Sequence, residues 1–573
     1  MAPTPGILYV TMQPRPSLAP ARFHDWYNNE HGPARLRLPF VANGFRYRAT
    51  DLAPRGVAAS PADPEWMAVY DVADMAALAT EPYARLRGPP AKSARETDVM
   101  RDIDVERMLF DLVDADEAAG GQPFARLEDV RNEGQGNAVA AVLLAARPGW
   151  ESALDRWYRD EHVPAVAGAP GFRRVRRFAS SAAGEPAAGN KTLLLHDFAP
   201  ATSYAALKAA TVDALPDAVE AGGARLRTYG LHYTFGPCPR DLGPLGAPST
   251  APWTSPDGLT RTLAPSPAAA PDAAVSGAIE SYVTTPDGVR LPYRLSGAPA
   301  PDAPTVLFVN SVLTTYAIWD GFLAAFLAAG RPDRARYRFL RYDARGRTRE
   351  TGPGGGDVTL ATLAADAVAL LDALRVRRAA ALVGVSLGGA TALAAALARP
   401  DRVAALVACD TNARAPAANP RLWAERVAVA EGEGAEEEKE DEDEEPVVCE
   451  SLAEMTVQRW FVPGSFDGGA REREARRVKR MVASNSLAGF KRGVRALYDY
   501  DLEAALPTCK VKAGFVVGAG DGALPEKMRE MAAKVPGAKL KVVEDAGHLP
   551  MVERPAEVAA FVAEVLADAG VGG

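Results

Sequence analysis

Three residues in this chain have the types and settings that nucleophilic catalysis requires. Ser386 is the centre of Gly384-Val385-Ser386-Leu387-Gly388, directly after the apolar run Ala379–Val383 and before the Ala-rich segment Ala390–Ala398. That order reads as strand, tight turn and helix, with a serine hydroxyl at the apex and glycines where close packing excludes side chains. A serine nucleophile at neutral pH needs a base, and histidine suits that task. The chain has six histidines, His24, His31, His162, His196, His232 and His548, and only His548 lies beyond residue 232. It follows the strand-like Lys539–Val543 in a loop, Glu544-Asp545-Ala546-Gly547-His548-Leu549-Pro550. An acid that fixes the imidazole tautomer should fall between the two. Asp521, in the turn that leaves the buried-strand signal Ala513–Gly518, is the first choice; Asp410, after Ala404–Ala408, is the rival. The bland readings are a surface-loop histidine and an ordinary turn aspartate. Two backbone N–H groups must face the developing oxyanion. Leu387 N–H follows the nucleophile, and Val312 N–H follows the strand Thr305–Val309, with Asn310 and Ser311 shaping that turn or contacting substrate.

Strand and helix patterns place these residues. A hairpin signal around Asp287-Gly288 opens a second domain. Strand patterns at 305–309, 337–342, 379–383, 403–408, 513–517 and 539–543 then alternate with helix patterns, which predicts a doubly wound, mostly parallel sheet. In such a sheet the chemistry belongs at the carboxyl ends of the strands. The interval from about 413 to 501 breaks the alternation and reads as a cap. Within it Trp460, Phe461 and Met481 are candidates for lining a pocket, with cap core as the alternative.

The N-terminal part repeats itself. Trp26-Tyr27-Asn28-Asn29-Glu30-His31-Gly32-Pro33-Ala34 recurs as Trp157-Tyr158-Arg159-Asp160-Glu161-His162-Val163-Pro164-Ala165, and Gly44-Phe45-Arg46 recurs as Gly171-Phe172-Arg173. Each copy reads β-α-β-β-α-β, a ferredoxin-like unit with one open sheet face, and two such faces can bury each other. The domain expectations are repeat 1 at 1–118, repeat 2 at 119–236, a Pro/Ala-rich linker at 237–278 and an α/β domain at 279–573.

Composition is that of a globular chain, 48% hydrophobic and 24% charged over 573 residues. The net charge of −8 is local in origin, because Glu431–Glu445 holds eleven acidic residues and one lysine. Such a tract reads as a solvated insertion and says nothing of the substrate. No basic stripe suggests nucleic acid, and neither a leader nor a bilayer-length apolar run suggests a membrane. Cys238, Cys409, Cys449 and Cys509 have no metal-ligand spacing, so the expectations are no metal, no cofactor and a cytoplasmic setting. The expected partner is a small molecule, with self-association left open.

Two resemblances refine this. The Trp-Tyr-x-x-Glu-His-x-Pro-Ala motif followed by Gly-Phe-Arg resembles the EthD-like, dimeric α/β-barrel superfamily over roughly residues 5–236. That resemblance implies a barrel made by one chain, and it makes His31 and His162 candidates for a second, proton-transferring site; packing of the helix end is the alternative. The second half, with Phe308-Val309-Asn310-Ser311, Asp343-Ala344-Arg345-Gly346, Gly384–Gly389, Arg459-Trp460-Phe461 and Ala546–Leu549, is similar to oxoadipate enol-lactonases of the α/β-hydrolase fold. It implies hydrolysis of a lactone or ester by Ser386, His548 and Asp521. Val312-Leu313-Thr314 and Arg347-Thr348-Arg349 depart from that family's pattern, which bears on the substrate. The alternatives are carbon–carbon bond hydrolysis on the same fold, a two-step enzyme whose N-terminal half is a lyase or isomerase, and a non-catalytic binding protein.

Overall fold

The computed structural model describes residues 2–117, 138–182, 191–199, 202–212, 215–265, 277–328, 332–347, 358–433 and 446–571. It divides into two compact units, Met1–Thr250 with Ser255–Asp257, and Ala251–Thr254 with Gly258–Gly573.

The first unit is a closed barrel of β1 (Gly6–Pro14), β2 (Val41–Ala49), β3 (Trp66–Val72), β4 (Ile103–Glu117), β5 (Ala138–Ala146), β6 (Phe172–Ser180), β7 (Lys191–Phe198) and β8 (Val219–Thr234). Around the barrel the order is β1-β3-β2-β8-β5-β7-β6-β4. Each sequence half contributes an antiparallel run, β4-β1-β3-β2 and β8-β5-β7-β6, joined by the pairs β2–β8 and β4–β6. Strand side chains alternate between faces, and the pattern sorts cleanly. Ile7, Tyr9, Phe45, Met67 and Phe110 from one half meet Val139, Phe178, Leu193, Leu195 and Tyr229 from the other inside the barrel. Leu8, Val10 and Met12 point outward beneath a helical segment that buries Trp26 and Tyr27. The Trp-Tyr pairs of both copies are therefore core residues. Both copies also carry a π-helical turn at the motif, Tyr27–His31 and Tyr158–His162.

His162 is committed to this packing. His196 Nδ1 lies 3.1 Å from Ala140 O, so it carries the proton, and His196 Nε2 is left to accept from His162 Nε2–H at 2.8 Å. Burial lowers His162 to about 4 and His196 to about 3. Unfolded imidazole takes up a proton near pH 6.5. With folded values below that, the stability these two contribute is complete above about pH 6.5 and drains as pH falls. At pH 5 the loss is roughly 4 kcal/mol for the pair. The barrel's thermal transition, followed by circular dichroism, should therefore fall clearly between pH 7 and pH 5, and an unchanged midpoint would contradict the neutral pair.

The second unit is built on one sheet in the order β18-β17-β16-β15-β13-β14-β12-β11-β10-β9. The strands are β9 (Trp253–Thr254), β10 (Arg261–Leu263), β11 (Ala278–Thr284), β12 (Arg290–Gly297), β13 (Thr305–Val309), β14 (Arg338–Tyr342), β15 (Ala381–Val385), β16 (Ala405–Cys409), β17 (Lys512–Gly518) and β18 (Lys539–Val543). From β14 to β18 all pairs are parallel. The remaining pairs are antiparallel. β13, β14, β15 and β16 are buried at every position, as their unbroken apolar character requires in a sheet covered on both faces. Between β16 and β17 lie the helices Asn419–Glu433, Glu450–Trp460, Gly469–Ala483 and Leu487–Gly493, where the cap was expected. Of the acidic tract 431–445, residues 434–445 fall outside the described residues, as do Thr348 and Arg349.

The segment expected as an extended linker, 237–278, is more ordered than its composition suggests. Cys238, Leu242 and Leu245 are buried, and Asp241 exchanges hydrogen bonds with Asn28 and Asn29. Further on, β9 and β10 extend the second unit's sheet. Residues 266–276 lie outside the described set. Proline-rich composition removes backbone donors but does not prevent short edge strands or the burial of isolated apolar side chains.

Candidate active site

The parallel strands reverse their order between β13 and β15, and the crevice at such a switch point is where open α/β sheets place chemistry. Ser386 follows β15 there with φ 58° and ψ −122°, a strained conformation for a residue with a Cβ. The neighbouring glycines make the turn possible. A Cβ on Gly384 would stand 2.1 Å from Gly388 O, and one on Gly388 would stand 2.3 Å from Val309 O. Ser386 N donates to Cys409 O at 2.9 Å, and Thr411 Oγ1 donates to Ser386 O at 2.7 Å. The elbow is thus clamped to the end of β16.

His548 and Asp521 are brought together across the next strand ends. His548 Nδ1 lies 2.6 Å from Asp521 Oδ2. Nδ1 therefore carries the proton, and Nε2 is the basic nitrogen. Burial raises the Asp521 carboxyl, but the hydrogen bond and charge of His548 outweigh it and hold Asp521 below its ordinary range. Asp410, the rival acid, is in the same cluster: its oxygen and those of Asp521 and His548 Nδ1 or Nε2 lie within 4.8 Å of one another. Asp410 Oδ1 accepts from Gly518 N at 2.9 Å, and the buried Asp410 carboxyl also shares a side-chain hydrogen bond with Asp521. Burial and the Asp521 charge push Asp410 well above the usual carboxylate range. One carboxyl is thereby kept neutral and the other ionised, as two carboxyls sharing a buried site require. Among the described residues these three are the His/Cys/Asp/Glu group close enough to share a cation. Ligand atoms about 2.1 Å from a tetrahedral ion stand about 3.4 Å apart, so the 2.6 Å His548–Asp521 contact suits a shared proton better. No hydrogen bond joins Ser386 Oγ to His548 among the described residues; serine hydroxyls rotate freely, and such bonds commonly tighten only with substrate.

The histidine loop has supports that the sequence did not mark. Trp460 O accepts from His548 N at 2.7 Å, and the Trp460 ring stacks on the imidazole with centroids 5.8 Å apart. Glu553, 4% exposed, accepts from Gly547 N at 2.6 Å, Ser465 Oγ at 2.6 Å and Val462 N at 3.1 Å. It ties the cap to the histidine loop. Glu553→Ala leaves two buried donors, Gly547 N and Ser465 Oγ, without an acceptor at about 1–3 kcal/mol each, and the partly buried Val462 N at less. The expected result is a thermal midpoint lowered by several degrees together with lower turnover, and a smaller loss in Glu553→Gln, which keeps an acceptor oxygen.

The turn after β13 is also fixed by side chains. Asn310 Nδ2 donates to Tyr342 O at 2.7 Å, and Asn310 Oδ1 accepts from Trp319 Nε1 at 3.0 Å. Asn310 therefore shapes the turn, and its amide is engaged there rather than turned to a substrate. Leu313 adopts φ 63°, and the cap residue Asn485 donates to its carbonyl at 2.8 Å. Ser311 Oγ is buried without a partner. Ser311, Val312 and Leu387 line a small cavity of about 40 Å³. Trp460, Phe461 and Met481 are absent from that lining; Trp460 packs on His548, and Phe461 packs against Phe466.

In the first unit His31 Nδ1 lies 3.1 Å from Glu96 Oε1, whereas His162 faces His196. The two copies thus use the same motif histidine differently.

Residues 306–561 match the family model of the alpha/beta hydrolase family. A pimeloyl-(acyl-carrier protein) methyl ester esterase of Aromatoleum aromaticum is 30% identical over 201 residues, 33% of this chain and 74% of that protein. A further curated relative, from Variovorax paradoxus, is 33% identical over 126 residues, and the chain spans 45% of its length. Among solved structures, a hydrolase from Pseudomonas aeruginosa is 32% identical, with 50% of this chain and 98% of that one covered and a TM-score of 0.42. The enol-lactonase from Burkholderia xenovorans is 28% identical, with 50% and 99% covered and a TM-score of 0.43. Through its second unit the chain belongs to the alpha/beta hydrolase family. No helix among the described residues is long and apolar enough to cross a membrane.

Proposed function

We propose that the second unit hydrolyses a lactone or ester through Ser386, His548 and Asp521. The observation that carries this is the strained serine at the end of β15 combined with the 2.6 Å His548–Asp521 bond two strand ends away. Ser386 Oγ attacks the carbonyl carbon as its proton passes to His548 Nε2. The carbonyl oxygen becomes an oxyanion facing the N–H groups of Leu387 and Val312. Collapse expels the alkoxide, which takes the proton from His548. In a lactone that alcohol stays on the acyl chain. Water then attacks the acyl-enzyme, gives its proton to His548, and releases the acid and free Ser386. The curated esterase relative and the enol-lactonase-like residues in the second half support an ester-type bond.

A fluorophosphonate tests the reading directly. Labelling followed by peptide mapping should place the adduct on Ser386, and His548→Ala should abolish it. Labelling elsewhere, or none, would sink the proposal. Product analysis on a ring-cleavage diketone separates ester from carbon–carbon hydrolysis. We also read the first unit as a duplicated β-α-β-β-α-β module of EthD-like type, supported by the recurring strand order and the paired motif. The four cysteines, none of them in a disulfide, favour a cytoplasmic setting.

A further inference from the structure

The first unit contains a cavity of about 260 Å³ between β1, β3 and β4 on one side and the segments that carry Trp26–Arg35 and Tyr83–Met100 on the other. At about 30 Å³ per water it holds roughly nine water volumes, enough for a small organic ligand. Its walls are of two kinds. Trp26, Tyr27 and Tyr70 offer flat apolar faces, and their rings are almost wholly buried. Arg35, Arg87, Lys92 and Arg107 supply four cationic groups against the single carboxylate of Glu96. Arg35 is held inside, with Nη1 donating to His31 O at 2.9 Å. Arg87 and Arg107 are exposed and Lys92 is half-buried, and among the described residues none of these three is ion-paired with a carboxylate.

His31 lies within this lining. Glu96 is held ionised at about 2, because His31 and Arg35 outweigh its burial, while burial lowers His31 to about 4. The 3.1 Å contact therefore runs from His31 Nδ1–H to Glu96 Oε1. Nε2 is left with its lone pair and accepts no proton from another described residue. The second copy of the motif has no such arrangement, since its histidine is bonded to His196.

We propose that this cavity is a second ligand site, separate from the hydrolase chemistry, that takes a small aromatic carboxylate. The ring would lie among Trp26, Tyr27 and Tyr70, the carboxylate would face Lys92, Arg87 and Arg107, and a hydroxyl on the ligand would donate to His31 Nε2. Aromatic walls supply most of the burial, and the cations supply the sign selectivity. Glu96 opposes an anion but is itself compensated by Arg35 and in part by Lys92, which leaves Arg87 and Arg107 to set the sign of the field with what Lys92 adds.

The test uses the full-length protein with 2-naphthoate and its neutral counterpart 2-naphthamide, followed by calorimetry and tryptophan fluorescence. The naphthoate should bind at least tenfold more tightly than the amide and should weaken as salt is raised. The triple variant Arg87→Gln, Lys92→Gln, Arg107→Gln should lose at least tenfold in naphthoate affinity with little change for the amide. Val105→Trp, at an exposed position in the lining, should block both probes. Arg87, Val105 and Arg107 are exposed and Lys92 is half-buried, and an unchanged thermal midpoint confirms that each variant folds. Equal binding of the two probes, or naphthoate affinity that survives both the triple variant and Val105→Trp, overturns the proposal.

Discussion

Ser386→Ala should lower kcat/KM on a responsive ester or lactone by about 10,000- to 1,000,000-fold, the scale seen when a serine nucleophile is removed. The loss should fall on kcat, because the hydroxyl forms a bond only after substrate is bound. The fold should survive. At Ser386 the backbone is positive-φ with any non-glycine residue, so alanine retains the existing strain without adding a clash. Glycine at 386 would relax that strain and stabilise the chain while being equally inactive, a signature of a residue whose conformation serves chemistry rather than stability. A p-nitrophenyl ester and lactone panel, run on wild type and both variants with matched thermal midpoints, gives the answer. Comparable turnover in wild type and Ser386→Ala would remove Ser386 from the mechanism.

The second large effect separates the two buried carboxyls. Asp521→Asn should cost about 10,000-fold in kcat, because an amide in place of the carboxylate no longer selects the Nδ1–H tautomer and no longer stabilises the imidazolium. Asp410→Asn should cost less than about tenfold. Asp410 is already held neutral by burial and by the Asp521 charge, and an asparagine oxygen can still accept from Gly518 N. Interchanged outcomes would make Asp410 the orienting acid. The pH response follows from the directions of the two shifts. Asp521 is depressed in the folded state, so its contribution to stability is complete above the unfolded carboxylate value near 3.9 and is lost as pH falls through its lower folded value. Asp410 is raised, so it opposes the fold increasingly as pH climbs above 3.9. Asp410→Asn should therefore stabilise the protein near neutrality relative to its effect at pH 4, which denaturant unfolding at the two pH values measures.

The elbow was legible because its signal is local. A buried strand, two glycines flanking a serine and an alanine-rich helix lie within about twenty residues, and the steric demand that makes Gly384 and Gly388 necessary is set by near neighbours. His548 was legible by elimination, since no other histidine follows residue 232. A repeated motif was visible in the sequence of the first unit, but barrel closure depends on the joints β2–β8 and β4–β6, which pair residues far apart in sequence. For Trp460 and Asn310 the sequence left two roles open, ligand contact or scaffold, for a related reason. Each has the type of a ligand contact, yet each is occupied by scaffold, the imidazole face in one case and the end of β14 in the other.

The order of serine, acid and histidine, their placement after strands and the alternation that builds the parallel sheet are properties of sequence, because turn sterics and strand burial act over a few residues. Which of two aspartates holds the imidazole, that Glu553 and Asn485 fasten the helices between β16 and β17 to the His548 loop and to the turn after β13, and that one copy of a repeated histidine faces a carboxylate while the other faces a second histidine, were decided by tertiary structure. Hydrogen bonds and buried charges depend on distances between atoms that the chain brings together only on folding, and no local pattern encodes those distances.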